Sequence, residues 1–149
     1  MPYTYKITVH TANVKDAGTD ADIYISIYGS KNSLLKQKLH DSNDKDDFEA
    51  DDVNKISLQS PYDLGDIEKI TIWHDNSGEK PGWYLNYVQI ETPNGLSIKF
   101  RADRWLAEDE DDGKLCITLY PPVNTISANN EAIRYITLKF GSLQNSSTV

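Results

Sequence analysis

A chain of 149 residues has room for one domain with a proper hydrophobic core, so any function sits on the surface of one fold. Its formal net charge of −8 argues against nucleic acid as a partner. A single cysteine, Cys116, leaves no internal disulfide and no cysteine zinc site.

The first residues enter a strand pattern directly: Tyr3, Tyr5, Ile7 and Val9 alternate with Thr4, Lys6, Thr8 and His10. A loop over Asn13 to Asp22 follows, then a second strand from Ile23 to Tyr28, in which Ile23, Ile25 and Ile27 share a face. Leu34 to His40 reads as a third strand, and Asp41 to Asp52 as the most acidic loop. Val53 to Leu58 is the fourth strand, closed by a turn at Pro61 to Gly65. Ile67 to His74 is the fifth, and His74-Asp75-Asn76-Ser77-Gly78 after it has turn chemistry.

Trp83 to Glu91 is the sixth strand. Its apolar phase changes between Leu85 and Val88, which predicts a bulge near Asn86 and Tyr87. Asn94-Gly95 signals a hairpin into a seventh strand carrying Leu96, Ile98 and Phe100, followed by Arg104-Trp105-Leu106. Glu108 to Gly113 leads to an eighth strand with Leu115, Ile117 and Leu119. Eight strands at this spacing predict an all-β fold, an antiparallel two-sheet β-sandwich over 1–122. Residues 123–149 read as a polar linker, one more edge strand over 133–140, and a frayed end.

Three loops carry oxygen-rich side chains: Asp16 to Asp20, Asp41 to Glu49, and Asp75-Asn76. Calcium takes 6–8 oxygen ligands from bent loops of this kind. Asp, Asn and Gly are also ordinary turn formers, and solvated acidic loops are common. The spacing is not that of an EF-hand, so composition alone leaves both readings open.

The ordered set Asp16-Ala17-Gly18-Thr19-Asp20-Ala21-Asp22-Ile23, Asp46-Asp47-Phe48-Glu49, Gly82-Trp83-Tyr84-Leu85, Glu91-Thr92-Pro93-Asn94-Gly95, Arg104-Trp105-Leu106 and Asp111-Asp112-Gly113 resembles the PLAT, or lipoxygenase-homology, domain. The closest likeness is to the N-terminal β-sandwich of animal lipoxygenases, from about Tyr3 to Leu119. The resemblance implies a calcium site at one end of the sandwich. Its ligands would be Asp16 and Asp20, the carbonyls of Gly18 and Thr19, then Asp46, Asp47 and Glu49, and Asp75 with Asn76; Asp41 is a further candidate. It also implies Trp83 and Trp105 as membrane-contacting residues, suited to the interfacial zone.

Catalysis finds little support. His10, His40 and His74 fall on separate strand ends and read as solvated strand residues, and Cys116 reads as a small packing residue. No G-x-S-x-G elbow is present. The expectation is a non-catalytic, monomeric calcium-binding module that associates with phospholipid membranes when calcium is bound. The alternative is a protein–protein adaptor in which calcium only orders the loops. The simplest placement is cytoplasmic and peripherally membrane-associated, since no stretch approaches the about 20 apolar residues of a membrane span and no leader pattern opens the chain.

Overall fold

A computed structural model describes residues 2–40 and 48–122. The expected edge strand at 133–140 and the candidate ligands Asp41, Asp46 and Asp47 lie outside the described residues. Eight strands follow in chain order: β1 (Tyr3–Thr11), β2 (Ile23–Gly29), β3 (Ser33–Leu39), β4 (Val53–Ser60), β5 (Ile67–His74), β6 (Trp83–Glu91), β7 (Ser97–Leu106) and β8 (Cys116–Leu119). They form two four-stranded sheets, ordered β4-β1-β6-β7 and β3-β2-β5-β8, and every pairing is antiparallel.

The period-2 pattern explains the layering. In β4 each exposed residue alternates strictly with a buried one. Tyr5 and Ile7 pair with Leu58 and Ile56 on one side, and Ile7 and Val9 pair with Ile90 and Val88 on the other, so one face is continuously apolar. The opposing sheet contributes a ladder of isoleucines, Ile25 beside Ile72 and Ile27 beside Ile70, all fully buried. Each such side chain contributes about 1.5–3 kcal/mol on burial. Tyr5 also lies in this core and its hydroxyl accepts the Leu64 N–H at 3.0 Å. Burial pushes that phenol above its ordinary value.

The predicted bulge is present. Pairing of β1 with β6 jumps from His10↔Tyr87 to Thr11↔Leu85, passing over Asn86, and on the β7 side Asn86 in turn faces two residues, Ala102 and Asp103. The hairpin expected at Asn94-Gly95 joins β6 to β7. Gly95 has φ of +91° but Asn94 is not in the left-handed region, and Gly95 N–H closes onto the Thr92 carbonyl at 2.9 Å. A two-residue type I′ turn needs positive φ at both central residues. This one is a type I turn with glycine supplying the left-handed exit.

Candidate acidic loop end

Strands of an antiparallel sandwich run alternately up and down, so the segments after β1, β3, β5 and β7 leave the same end. Among the described residues those four segments carry three, three, two and five carboxylates, 13 of 18. The three loops nominated from sequence are among them. The fourth, Glu108 to Asp112, is a site element that sequence reasoning missed.

Backbone contacts stitch the loops together. Thr19 N–H donates to the Phe48 carbonyl at 3.1 Å, tying the first loop to the second. Gly18 lies so close to that segment that a Cβ would stand 2.9 Å from Glu49 Cα, so only glycine permits the approach. Asp20 N–H donates to the Lys80 carbonyl at 3.0 Å, and Lys80 N–H returns to Asp20 Oδ2 at 3.1 Å, tying the first loop to the third. Asp16, Asn76 and Asp111 take left-handed φ values of 63°, 61° and 51°, a conformation Asp and Asn tolerate. Phe48 does so too, at 63°, held by Asn54 Oδ1 on its N–H and by its ring against Trp83.

The result is an open cleft of about 660 Å³. Asp16, Gly18, Asp20, Glu49 and Asn76, all nominated from sequence, line it, with Trp105 on its wall. Glu79, Glu108, Asp109 and Glu110 line it as well, and Lys80 is the one cation among the lining residues. A second hollow beside it is lined by Thr19, Asp20 and Glu49 next to His40, where the chain leads into 41–47.

Other nominated residues do different work. Thr19 is buried; its hydroxyl donates to the Pro81 carbonyl and accepts from Ala21 N–H, pinning the first loop to the third. Asp75 does not line the cleft. Its Oδ1 accepts from Ser77 Oγ, Ser77 N and Asp22 N, at 2.6, 3.1 and 3.0 Å. The Ser77 hydroxyl in particular holds this carboxyl below the usual carboxylate range. Asp111 Oδ2 accepts the Trp105 N–H at 2.7 Å, and Asp112 meets Arg104 at 2.7 Å, folding the fourth loop back onto the end of β7.

Three expectations are corrected. Trp83 is fully buried and its Nε1–H donates to Thr11 Oγ1 at 2.8 Å, so it is a core residue with no face to offer a membrane. Trp105, half-buried and edge-on to Tyr84, keeps an accessible face. His74 is not solvated: it is 2% exposed, with Nε2–H donating to the Leu106 carbonyl at 2.7 Å and Nδ1 accepting from Asn76 N–H at 3.0 Å. Those partners require the neutral ring, and burial lowers its proton affinity below the ordinary value. Cys116 is exposed on the outer face beside Trp73, opposite the Ile117 and Leu119 that β8 presents to the core, so it is not a packing residue. Partial burial raises its thiol above the ordinary value, so it is no activated nucleophile.

The donor set is all oxygen, which fits a hard divalent cation. Among the described residues, however, no three His, Cys, Asp or Glu side chains converge closely enough to hold a metal by themselves. Also among them, no helix is long and apolar enough to cross a membrane.

This end sits on a two-sheet, PLAT-type β-sandwich, and comparison with known proteins agrees. The PLAT/LH2 domain profile matches residues 5–119, and the chain belongs to that family. A lipoxygenase homology domain-containing protein 1 from Mus musculus is 37% identical over 78% of this chain, which is 6% of that protein's length. A polycystin family receptor for egg jelly, also from Mus musculus, is 34% identical over 70% of this chain and 5% of its own. The structure of a coral 8R-lipoxygenase, described as calcium-activated via a C2-like domain, superposes with a TM-score of 0.69 at 29% identity. That match covers 97% of this chain and 22% of the enzyme. The chain thus spans a small fraction of the length of the proteins it matches.

Proposed function

We propose that this chain is a non-catalytic calcium-binding module that associates with phospholipid surfaces when calcium is bound. The observation that carries the reading is the gathering of 13 of the 18 carboxylates among the described residues onto the segments of one end. So much like charge at one end is self-repelling and favours a bound cation. Asp16, Asp20, Glu49 and Asn76, with the carbonyls of Gly18 and Thr19, are the proposed ligands; Asp41, Asp46 and Asp47 belong to the same segment as Glu49. Asp75 is better suited to fixing the third loop through Ser77 and Asp22. Calcium, when bound, supplies the positive charge that cancels the loops and meets lipid phosphate. Trp105 on the cleft wall is the residue assigned to the interfacial layer.

The calcium activation described for the coral lipoxygenase supports the metal. The shares of 22% of that enzyme and 6% of the longer relative fit a module without chemistry of its own, which we read as peripheral to the membrane and monomeric. Calorimetric titration with calcium, followed by sedimentation with phosphatidylcholine–phosphatidylserine vesicles in calcium and in chelator, tests both halves. Binding to vesicles only in calcium is expected, and no calcium heat overturns the reading. Calcium heat without vesicle binding would favour the adaptor role instead. For that role the exposed Leu35 on edge strand β3 and Val53 on edge strand β4 are the docking features.

A further inference from the structure

The outer face of the β4-β1-β6-β7 sheet has the opposite charge character from the loop end. Cross-strand register places its side chains in rows. One row runs Lys55, Thr8, Gln89, Lys99; the next runs Ser57, Lys6, Glu91, Ser97; a third runs Val53, His10, Tyr87, Arg101. Lys6, Lys55, Lys99 and Arg101 are all exposed. Glu91 is the one acid within these rows, and Asp51 and Asp103 stand at the border, on His10 at 3.0 Å and Arg101 at 3.5 Å. In a chain of net charge −8, a face with Lys6, Lys55 and Lys99 against Glu91, and Arg101 paired with Asp103, is a local inversion. It spans three strand spacings, about 14 Å. Lys6 stands five residues along β1 from Thr11, where the acidic loops begin. At about 3.3 Å per residue that is roughly two Debye lengths at physiological salt, so the acidic end is largely screened at Lys6.

We propose that this face binds a polyanionic polysaccharide, a sulfated or uronate-rich glycan, independently of calcium. The chemistry between the cations selects that class. Thr8 and Ser57, and the remaining hydrogen-bonding capacity of the Thr4–Gln59 and Gln89–Ser97 pairs, offer hydroxyls and amides at the spacing of the lysines, partners for sugar hydroxyls as the ammonium groups are for sulfate or carboxylate. A lipid surface fits poorly, because the face carries no apolar anchor beyond Val53 at its edge. Single-stranded nucleic acid fits poorly too. Tyr87 is the aromatic of these rows, and its ring is taken by Lys99 Nζ at 4.3 Å and by His10 at 5.2 Å, leaving no stacking platform. A folded protein would want an apolar or aromatic centre to its interface, which this face does not offer.

The test is retention of the full chain on immobilised heparin in chelator, with fluorescence titration against heparin, polygalacturonate and uncharged dextran. Binding to a polyanion, absent for dextran and weakening steeply with salt, is expected. Lys6→Glu with Lys99→Glu should weaken it at least ten-fold while the melting temperature stays put. Lys31→Glu with Lys69→Glu makes the same change in net charge off this face and should leave it nearly unchanged. No retention overturns the proposal, as does equal loss in both double variants. Binding in chelator to phosphatidylserine vesicles or polyglutamate but to neither glycan would also overturn it. Because the readout is taken without calcium, it stands or falls separately from the loop-end reading.

Discussion

The two ends of this sandwich are built from the same strands yet solve opposite problems. At one end the connections after β2, β4 and β6 are three to six residues long. Their polar groups are spent on themselves: Asp63 Oδ1 accepts from Gly65 N–H, and Ser30 Oγ from Asp66 N–H. At the other end the connections run from eight to thirteen residues and collect carboxylates that repel one another. Short turns only have to reverse the chain, and local hydrogen bonding suffices. Long loops need support from beneath, and here it comes from Trp83, Phe48, Thr11, Thr19 and His74. The polar end is therefore only as ordered as the apolar and neutral groups under it.

The largest test of that dependence is Trp83→Ala. It removes a fully buried indole, the edge contact to Phe48 and the bond to Thr11, and should cost about 3–5 kcal/mol in urea denaturation. Trp105→Ala, on the cleft wall, should cost under about 1 kcal/mol yet reduce calcium-dependent vesicle sedimentation. Equal destabilisation by the two would erase the distinction between core and rim tryptophan.

His74→Leu comes next. It strips the Leu106 carbonyl and the Asn76 N–H of their partner and should cost about 1–3 kcal/mol. The same residue gives a pH dependence of known sign. Its folded proton affinity is lowered from the unfolded value of 6.5, so below 6.5 the unfolded chain binds the extra proton first. Stability should therefore be intact above that value and fall as pH drops toward the lower folded value. Denaturation midpoints across that window should show the slope in the wild type and a shallower one in His74→Leu.

Ligand linkage separates the two ends directly. Calcium at a hundred-fold excess over its dissociation constant should raise stability by about 2.7 kcal/mol. Asp20→Asn should shrink that gain, and Asp63→Asn at the far end should not; melting curves with and without calcium read both.

Period 2 made the fold legible: eight strands, close to their bounds, and even the bulge at Asn86 follow from where Ile, Val, Leu and Tyr alternate. Side-chain burial at strand ends was less so. A tryptophan opening a strand can face either way, and Trp83 turned inward only because Thr11 and Phe48 receive it. His74 looked like the polar end of β5, and nothing local announced that the carbonyl of Leu106, 32 residues away in sequence, would cap its ring. Composition located three acidic loops but said nothing of which end they share; the parity of strand direction does, and it was the unused signal. Every segment after an odd-numbered strand leaves the same end, so Glu108 to Asp112, following β7, had to join the loops after β1, β3 and β5.

The smallest expected effect lies on this fourth loop. Glu108, Asp109 and Glu110 line the cleft from its far wall, whereas Asp111 and Asp112 are occupied with Trp105 N–H and Arg104. Replacing Glu108, Asp109 and Glu110 by their amides keeps shape and hydrogen-bonding reach but removes three charges beside the cleft. If they add only long-range field, calcium affinity should fall a few-fold, corresponding to under about 1 kcal/mol, and the loss should shrink in high salt. If one is a direct ligand, the loss should be ten-fold or more and insensitive to salt. Asp112→Asn acts differently. It weakens the pairing with Arg104 that folds this loop onto β7, so it should loosen the loop in hydrogen exchange with little change in calcium heat. A calcium affinity unmoved by all three amides would remove the fourth loop from the site and leave the acidic end with the three loops that composition alone had marked.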